Sequence, residues 1–200
     1  MPVITPQFEM FVIGEDASYS VPAVKSIRIE SSRKLKADRA TVEFPRMDGL
    51  TLDTFKRNDT VNIKLGHRED SSLRTVFFGY VREIGPNEPV RIECEDIWAR
   101  IKDRRRSSEY NFQSVLFSEI AKDLIEDIDE IPGITILAPD TAKEMTDNFY
   151  VDRQSYDQIF SELMKASGWD FFVIPGTMRF YFGPGLYKNN HLAQTETPIF

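Results

Sequence analysis

Cysteine is almost missing from this chain: Cys94 is the only one in 200 residues. No internal disulfide can form, and a zinc site built from the cysteines of a single chain is excluded. Histidine is nearly as scarce. His67 and His191 are the only two, and neither belongs to a His-Glu-x-x-His arrangement, so both are expected on surface loops. No apolar run approaches the roughly 20 residues a membrane helix needs. The opening Met1-Pro2-Val3-Ile4-Thr5-Pro6 lacks the basic start and long apolar region of a signal peptide. With one cysteine, that points to synthesis in a reducing compartment. A glycine-rich phosphate loop is also missing; Gly183-Pro184-Gly185 reads as a turn. The net charge of -7 argues against general nucleic-acid binding as the main activity.

What is present is a core-forming composition, 41% hydrophobic with fifteen Phe. The first hundred residues read as β. Phe8 to Ile13 is a short apolar run. Ile27 and Ile29 alternate with Arg28 and Glu30, and Ala40, Val42 and Phe44 with Thr41 and Glu43. Val61, Ile63 and Leu65 alternate with Asn62 and Lys64. Val76 to Ile84 is β-branched and aromatic, and Val90, Ile92 and Cys94 alternate with Arg91 and Glu93. Successive side chains leave opposite faces of a pleated strand, so alternation marks a half-buried strand. Asp48-Gly49, Arg57-Asn58-Asp59 and Gly85-Pro86-Asn87 supply turns between the runs. About six short strands joined by turns predict a small barrel or sandwich.

Near Asp96 the pattern changes. Its carboxylate can cap a short helical turn, with Ile97, Trp98 and Ile101 on the inward side. A basic run follows, Arg100-Ile101-Lys102-Asp103-Arg104-Arg105-Arg106, and the domain boundary is expected there. Beyond it the chain reads as α+β. Phe112, Leu116, Ile120, Leu124 and Ile128 recur every four residues and predict one helix, starting at Asn111 or Ser114 and ending at Pro132-Gly133. Ile134 to Leu137 is a predicted short strand, and 138–147 a loop. Ser155 with Gln158 forms a capping box opening a second helix, which Gly168 closes. Trp169 to Ile174 and Met178 to Phe182 then form a hairpin around Pro175-Gly176-Thr177.

Catalytic candidates are few. Cys94 alternates with two glutamates and is expected in the core, not as a nucleophile. Glu93 and Glu95 share a strand face, with Asp96 next. Paired carboxylates can serve a glycoside hydrolase, but i, i+2 neighbours on a solvated strand give the same pattern. The acidic group Glu126, Asp127, Asp129 and Glu130 lacks the spacing of a calcium loop. The cations Arg100, Lys102, Arg104, Arg105 and Arg106 are the main charge anomaly. A solvated linker is the plain explanation, a protein interface the second, and nucleic-acid binding centred on Arg104 to Arg106 the third.

Several segments in order carry a family resemblance. Phe55-Lys56-Arg57-Asn58-Asp59-Thr60-Val61-Asn62-Ile63 is similar to a polar turn entering a strand in tail hub proteins of contractile-tailed phages. That family includes the late control protein D group and the VgrG spike proteins of type VI secretion. Phe77-Phe78-Gly79-Tyr80-Val81-Arg82-Glu83-Ile84 resembles its F-x-G-x-V-x-x-I strand, and Ile92 to Asp96 the strand that closes the first barrel with an acidic residue. Tyr150 to Phe160 resembles its tyrosine, serine and helix segment, and Leu163 to Phe172 the helix end and aromatic strand after it. The resemblance runs over about residues 5 to 186.

The resemblance implies an N-terminal antiparallel β-barrel of the tail-tube or hub type at 1–104. A smaller α+β domain with two helices and a C-terminal β-hairpin follows at 105–187, then a loop or disordered tail at 188–200. It implies no catalytic residue, no cofactor and no metal. It implies self-association, with a trimer favoured and a hexamer possible, and partners in a tail tube protein and a spike protein or C-terminal hub half. Nucleic acid enters only as passing cargo. The expected location is the bacterial cytoplasm during assembly, then the virion tail or an equivalent injection particle. Relatives continue past the point matching Phe200 into a second barrel. A longer chain, a second polypeptide or a reduced hub would each account for that difference.

Overall fold

The computed structural model describes residues 6–31, 37–45, 54–67, 73–85, 88–106, 109–128, 131, 133–139 and 148–185. The chain divides into two compact units. The first comprises Met1–Ser32, Lys36–Arg100 and Val173–Met178; the second comprises Arg33–Leu35, Ile101–Phe172 and Arg179–Phe200. The chain passes from one to the other inside the basic run, between Arg100 and Ile101.

Seven strands build the first unit: β1 (Pro6–Ile13), β2 (Ser18–Ser20), β3 (Ser26–Glu30), β4 (Arg39–Phe44), β5 (Thr60–His67), β6 (Arg74–Gly85) and β7 (Val90–Glu95). They form one sheet in the order β2-β1-β5-β6-β7-β4-β3. Every pair is antiparallel. Alternation sends one set of side chains inward, and register stacks that set across strands. Val42 lies opposite Ile92 and Ala40 opposite Cys94; Met10 faces Ile63 and Val12 faces Val61. All eight belong to one buried cluster with Phe44, Phe55 and Phe77. Burying each large apolar side chain contributes about 1.5–3 kcal/mol.

The sheet is not flat. Seven strands laid flat would set its two edges about 29 Å apart, at about 4.8 Å per gap. Only Val21 to Lys25 join the edge strands β2 and β3, and that stretch reaches about 22 Å at full extension. The chain therefore obliges the sheet to curl around its core. The expected barrel is met as a curled antiparallel sheet. Its closure is not: among the described residues no ladder joins β2 to β3. Both edges are short, and β3 carries outward Arg28 and Glu30, charges that oppose edge-to-edge pairing.

At the end of β7 the predicted cap is present. Asp96 Oδ1 accepts from the Trp98 N–H at 3.0 Å, and Oδ2 from the Asp38 N–H at 2.8 Å. The one-turn helix α1 (Trp98–Ile101) follows, and Ile97, Trp98 and Ile101 are buried.

The second unit holds β8 (Tyr110–Phe112), α2 (Phe117–Glu126), β9 (Thr135–Leu137), β10 (Phe149–Val151), α3 (Tyr156–Ser167), β11 (Asp170–Val173, all but its last residue) and β12 (Arg179–Gly183). β8 pairs with β10, and β11, β12 and β9 form a second sheet in which β9 runs parallel to β12. The second predicted helix is found with its caps. Ser155 Oγ accepts from the Gln158 N–H, Gln158 Oε1 accepts from the Ser155 N–H, and Gly168 closes the helix at φ 70°.

The first predicted helix needs correction. Neither Asn111 nor Ser114 starts it: Asn111 and Phe112 lie in β8, and Ser114 sits at φ 53°. The helix begins after Leu116, with no side-chain cap. Phe112 is buried through strand pairing with Phe149, so the four-residue spacing joined two different elements. Most of the predicted 138–147 loop and the whole 188–200 tail lie outside the described residues. The unit's core is aromatic: Phe160 stacks on Phe171 at 4.0 Å, Phe171 on Phe180 at 5.4 Å, and Trp169 leans on Phe182 at 5.2 Å.

Candidate functional site

The five cations singled out by sequence do not form one patch. Arg105 is exposed, while Arg100, Lys102 and Arg104 are half-buried. Arg100 lies over the Tyr80 ring, 4.4 Å from its centroid. Arg106 is 2% exposed and so cannot be part of a surface interface. Its Nη2 donates to Asp123 Oδ2 at 3.1 Å. Its Nε lies 3.0 Å from Asp127 Oδ2, close enough for an ion pair but not aligned as a hydrogen bond. The guanidinium also covers the Tyr110 ring at 4.1 Å. Asp123 and Asp127 are four apart on α2 and its C-cap, which places both on one face. Tyr156 Oη donates to Asp127 at 3.3 Å; burial, then that carboxylate, push the phenol up to about 12.

The backbone of the basic run has a definite task. A helix begins with N–H groups that have no partner inside it. In α3 the Tyr156 N–H donates to Arg104 O and the Asp157 N–H to Lys102 O, each at 3.0 Å. Ser155 Oγ takes the Gln158 N–H, and the Ile159 N–H starts the regular ladder at Ser155 O. Arg105 bridges Ser155 as an antiparallel pair, and the Arg106 N–H donates to Gln154 O. Sequence reasoning missed this arrangement. Its halves are about fifty residues apart, and backbone carbonyls carry no side-chain signature.

The catalytic candidates are occupied elsewhere. Glu93 pairs with Arg91 at 2.7 Å; Glu95 takes Arg82 at 2.6 Å and Arg39 at 3.1 Å. Next to them a shallow groove of about 320 Å³ crosses the outer face of β3, β4 and β7, lined by Arg28, Glu30, Arg39, Glu43, Arg91 and Glu93. Its charges pair off within the sheet, Arg28 with Glu30 at 2.6 Å and Lys25 with Glu43 at 3.8 Å. Exposed pairs of this kind contribute about 0–1 kcal/mol each. Cys94 is buried, and burial followed by Glu93 pushes its thiol up to about 12, far from a reactive thiolate. Among the described residues, no three His, Cys, Asp or Glu side chains gather to hold a metal ion. His67 ends β5 in an exposed position; His191 lies outside the described residues. No helix among the described residues is long and apolar enough to cross a membrane.

No protein-family model matches the chain, and no curated protein matches it. Solved structures do. Its fold resembles that of bacterial prophage tail proteins. The 43 kDa tail protein of prophage MuSo2 from Shewanella oneidensis superposes with a TM-score of 0.63 at 14% identity, over 88% of this chain and 54% of that one. A tail protein from Neisseria meningitidis MC58 gives 0.59 at 12% identity, over 88% and 50%. Prophage tail protein gp18 from Listeria monocytogenes EGD-e gives 0.59 at 11% identity, with the same coverage. The chain thus spans about half the length of these structures. At such identities the likeness is one of fold.

Proposed function

We propose that this chain is a structural protein of a phage tail or a related injection machine, at the baseplate hub between the tail tube and the central spike of a contractile system. One observation supports the tail part of the reading: 88% of the chain shares the fold of tail proteins from three different bacteria. The F-x-G-x-V-x-x-I strand and the capped helix after Tyr150 agree with the hub family in order. On this reading the chain works by assembly and load transfer, not by catalysis. The ion-paired Glu93 and Glu95 and the buried Cys94 are in keeping with that. A hydrolase based on the two glutamates would turn both toward a bound sugar, and here each faces an arginine partner.

Assembly would proceed through a closed ring, a trimer first and a hexamer second, since heterologous contacts close only at a fixed rotation. Obligate interfaces of that kind bury about 2,000 Å² or more. The test is immunogold labelling of tail particles purified from a host that encodes the chain. Label at the junction of tube and spike is expected. Label elsewhere on the particle would retain the tail reading and discard the hub position. Particles that lack the chain altogether would overturn both.

A further inference from the structure

The run from Arg100 to Arg106 has the composition of an open linker, five trypsin-sensitive cations in seven residues. Its structure is otherwise. Two carbonyls of the run take the first two N–H groups of α3, its Arg105 pairs with Ser155, and its Arg106 N–H is bound to Gln154. At the end of the run the Arg106 guanidinium is enclosed between two α2 carboxylates and the Tyr110 ring.

We propose that residues 102–106, inside the second unit, are a latch, shut against the N-terminus of α3 and locked by Arg106, so that the basic run is a fastened strap and not a free strand. Opening it would strip the first turn of α3 of two hydrogen-bond partners at once. It would also draw a buried cation away from its carboxylates, which couples backbone and side-chain release. The bonds are made by the backbone at Lys102, Arg104 and Arg105, so the exposed charge of Arg105 has no part in closure. The side chain of Arg106 is the part of the run that locks the latch to α2. The inference does not depend on the tail reading, because the latch is a property of the single chain.

Limited trypsin digestion of the full chain tests it, with cleavage after Lys102 and Arg104 followed by mass spectrometry. A synthetic peptide of residues 99–110 gives the rate for an open strand. When opening is rapid, cleavage of a folded protein follows the population of its opened form. The folded chain is expected to be cut at those two bonds at least about a hundredfold more slowly than the peptide. Arg106→Ala removes the lock. Asp157→Pro deletes one N–H that holds the strap, at a first-turn position where helices accept proline. Either substitution is expected to speed cleavage by about tenfold or more. Arg105→Gln is expected to leave it unchanged. A wild-type rate within a few-fold of the peptide overturns the proposal whatever the variants do, and so do unchanged rates in both folded variants.

Discussion

Asp96 is the side chain whose chemistry is most altered by its place in the fold. It is 3% exposed, and burial pushes its carboxyl from 3.8 up to about 7, with the neighbouring Asp38 adding to the rise and N–H bonds from Asp38, Trp98 and Ala99 opposing it. The folded state therefore holds a proton that the unfolded chain has released over this range. Stability from this group is full below about pH 4 and is lost as pH rises through about 7, by at most about 4 kcal/mol. Urea titrations should show the first unit weakening over that window, and Asp96→Asn should flatten the slope. A wild-type midpoint that climbs relative to the variant would contradict this. Two glycines serve different needs. A Cβ on Gly79 would collide with the Glu95 carbonyl oxygen and come within 2.7 Å of the Phe77 ring. Gly168 has open space but sits at φ 70°. Gly79→Ala should cost about 2–3 kcal/mol through overpacking, and Gly168→Ala about 1–2 kcal/mol through backbone strain alone. A larger loss at Gly168 would reverse the assignment.

Among the elements, α3 has the most complete set of end signals, local and distant. Its start has a reciprocal side-chain cap and two carbonyls from the basic run; its end has a left-handed glycine. Ser155→Ala should lower the stability of the second unit by about 1 kcal/mol, and Ser155→Gly by only a few tenths. Equal losses for both, measured by urea midpoint, would show that Ser155 acts by something other than capping. α2 lacks such signals. It opens after Leu116 without a side-chain cap, and its place is set by buried Phe117, Ile120, Ala121, Leu124 and Ile125 and by the Arg106 lock. This explains why the sequence located α3 to the residue and began α2 several residues too early. Capping chemistry is written locally, whereas α2 depends on contacts with residues far away in the chain.

At the scale of the whole molecule, each unit has its own core and its own tryptophan, Trp98 in the first and Trp169 in the second. Single-tryptophan variants, Trp169→Phe and Trp98→Phe, would report on each unit separately. The Asp96→Asn effect is expected in the Trp98 signal and the Ser155→Ala effect in the Trp169 signal. One shared transition that moves equally with both substitutions would show that the chain unfolds as a single cooperative body. The strands of the curled sheet were legible because a half-buried strand must alternate, and six of its seven appear in the residue pattern. The missing one, β2, has three residues, too few for any period to show. Alternation could not say which strand neighbours which, nor that five residues between β2 and β3 would curl the sheet. The basic run was legible as charge and nothing more. Local chemistry fixed strands, caps and turns, since those depend on residues within a few positions of one another. Tertiary structure alone decided that Arg106 is buried and that the basic run is fastened to the start of α3, because those outcomes rest on carboxylates and N–H groups brought close by folding from distant parts of the chain.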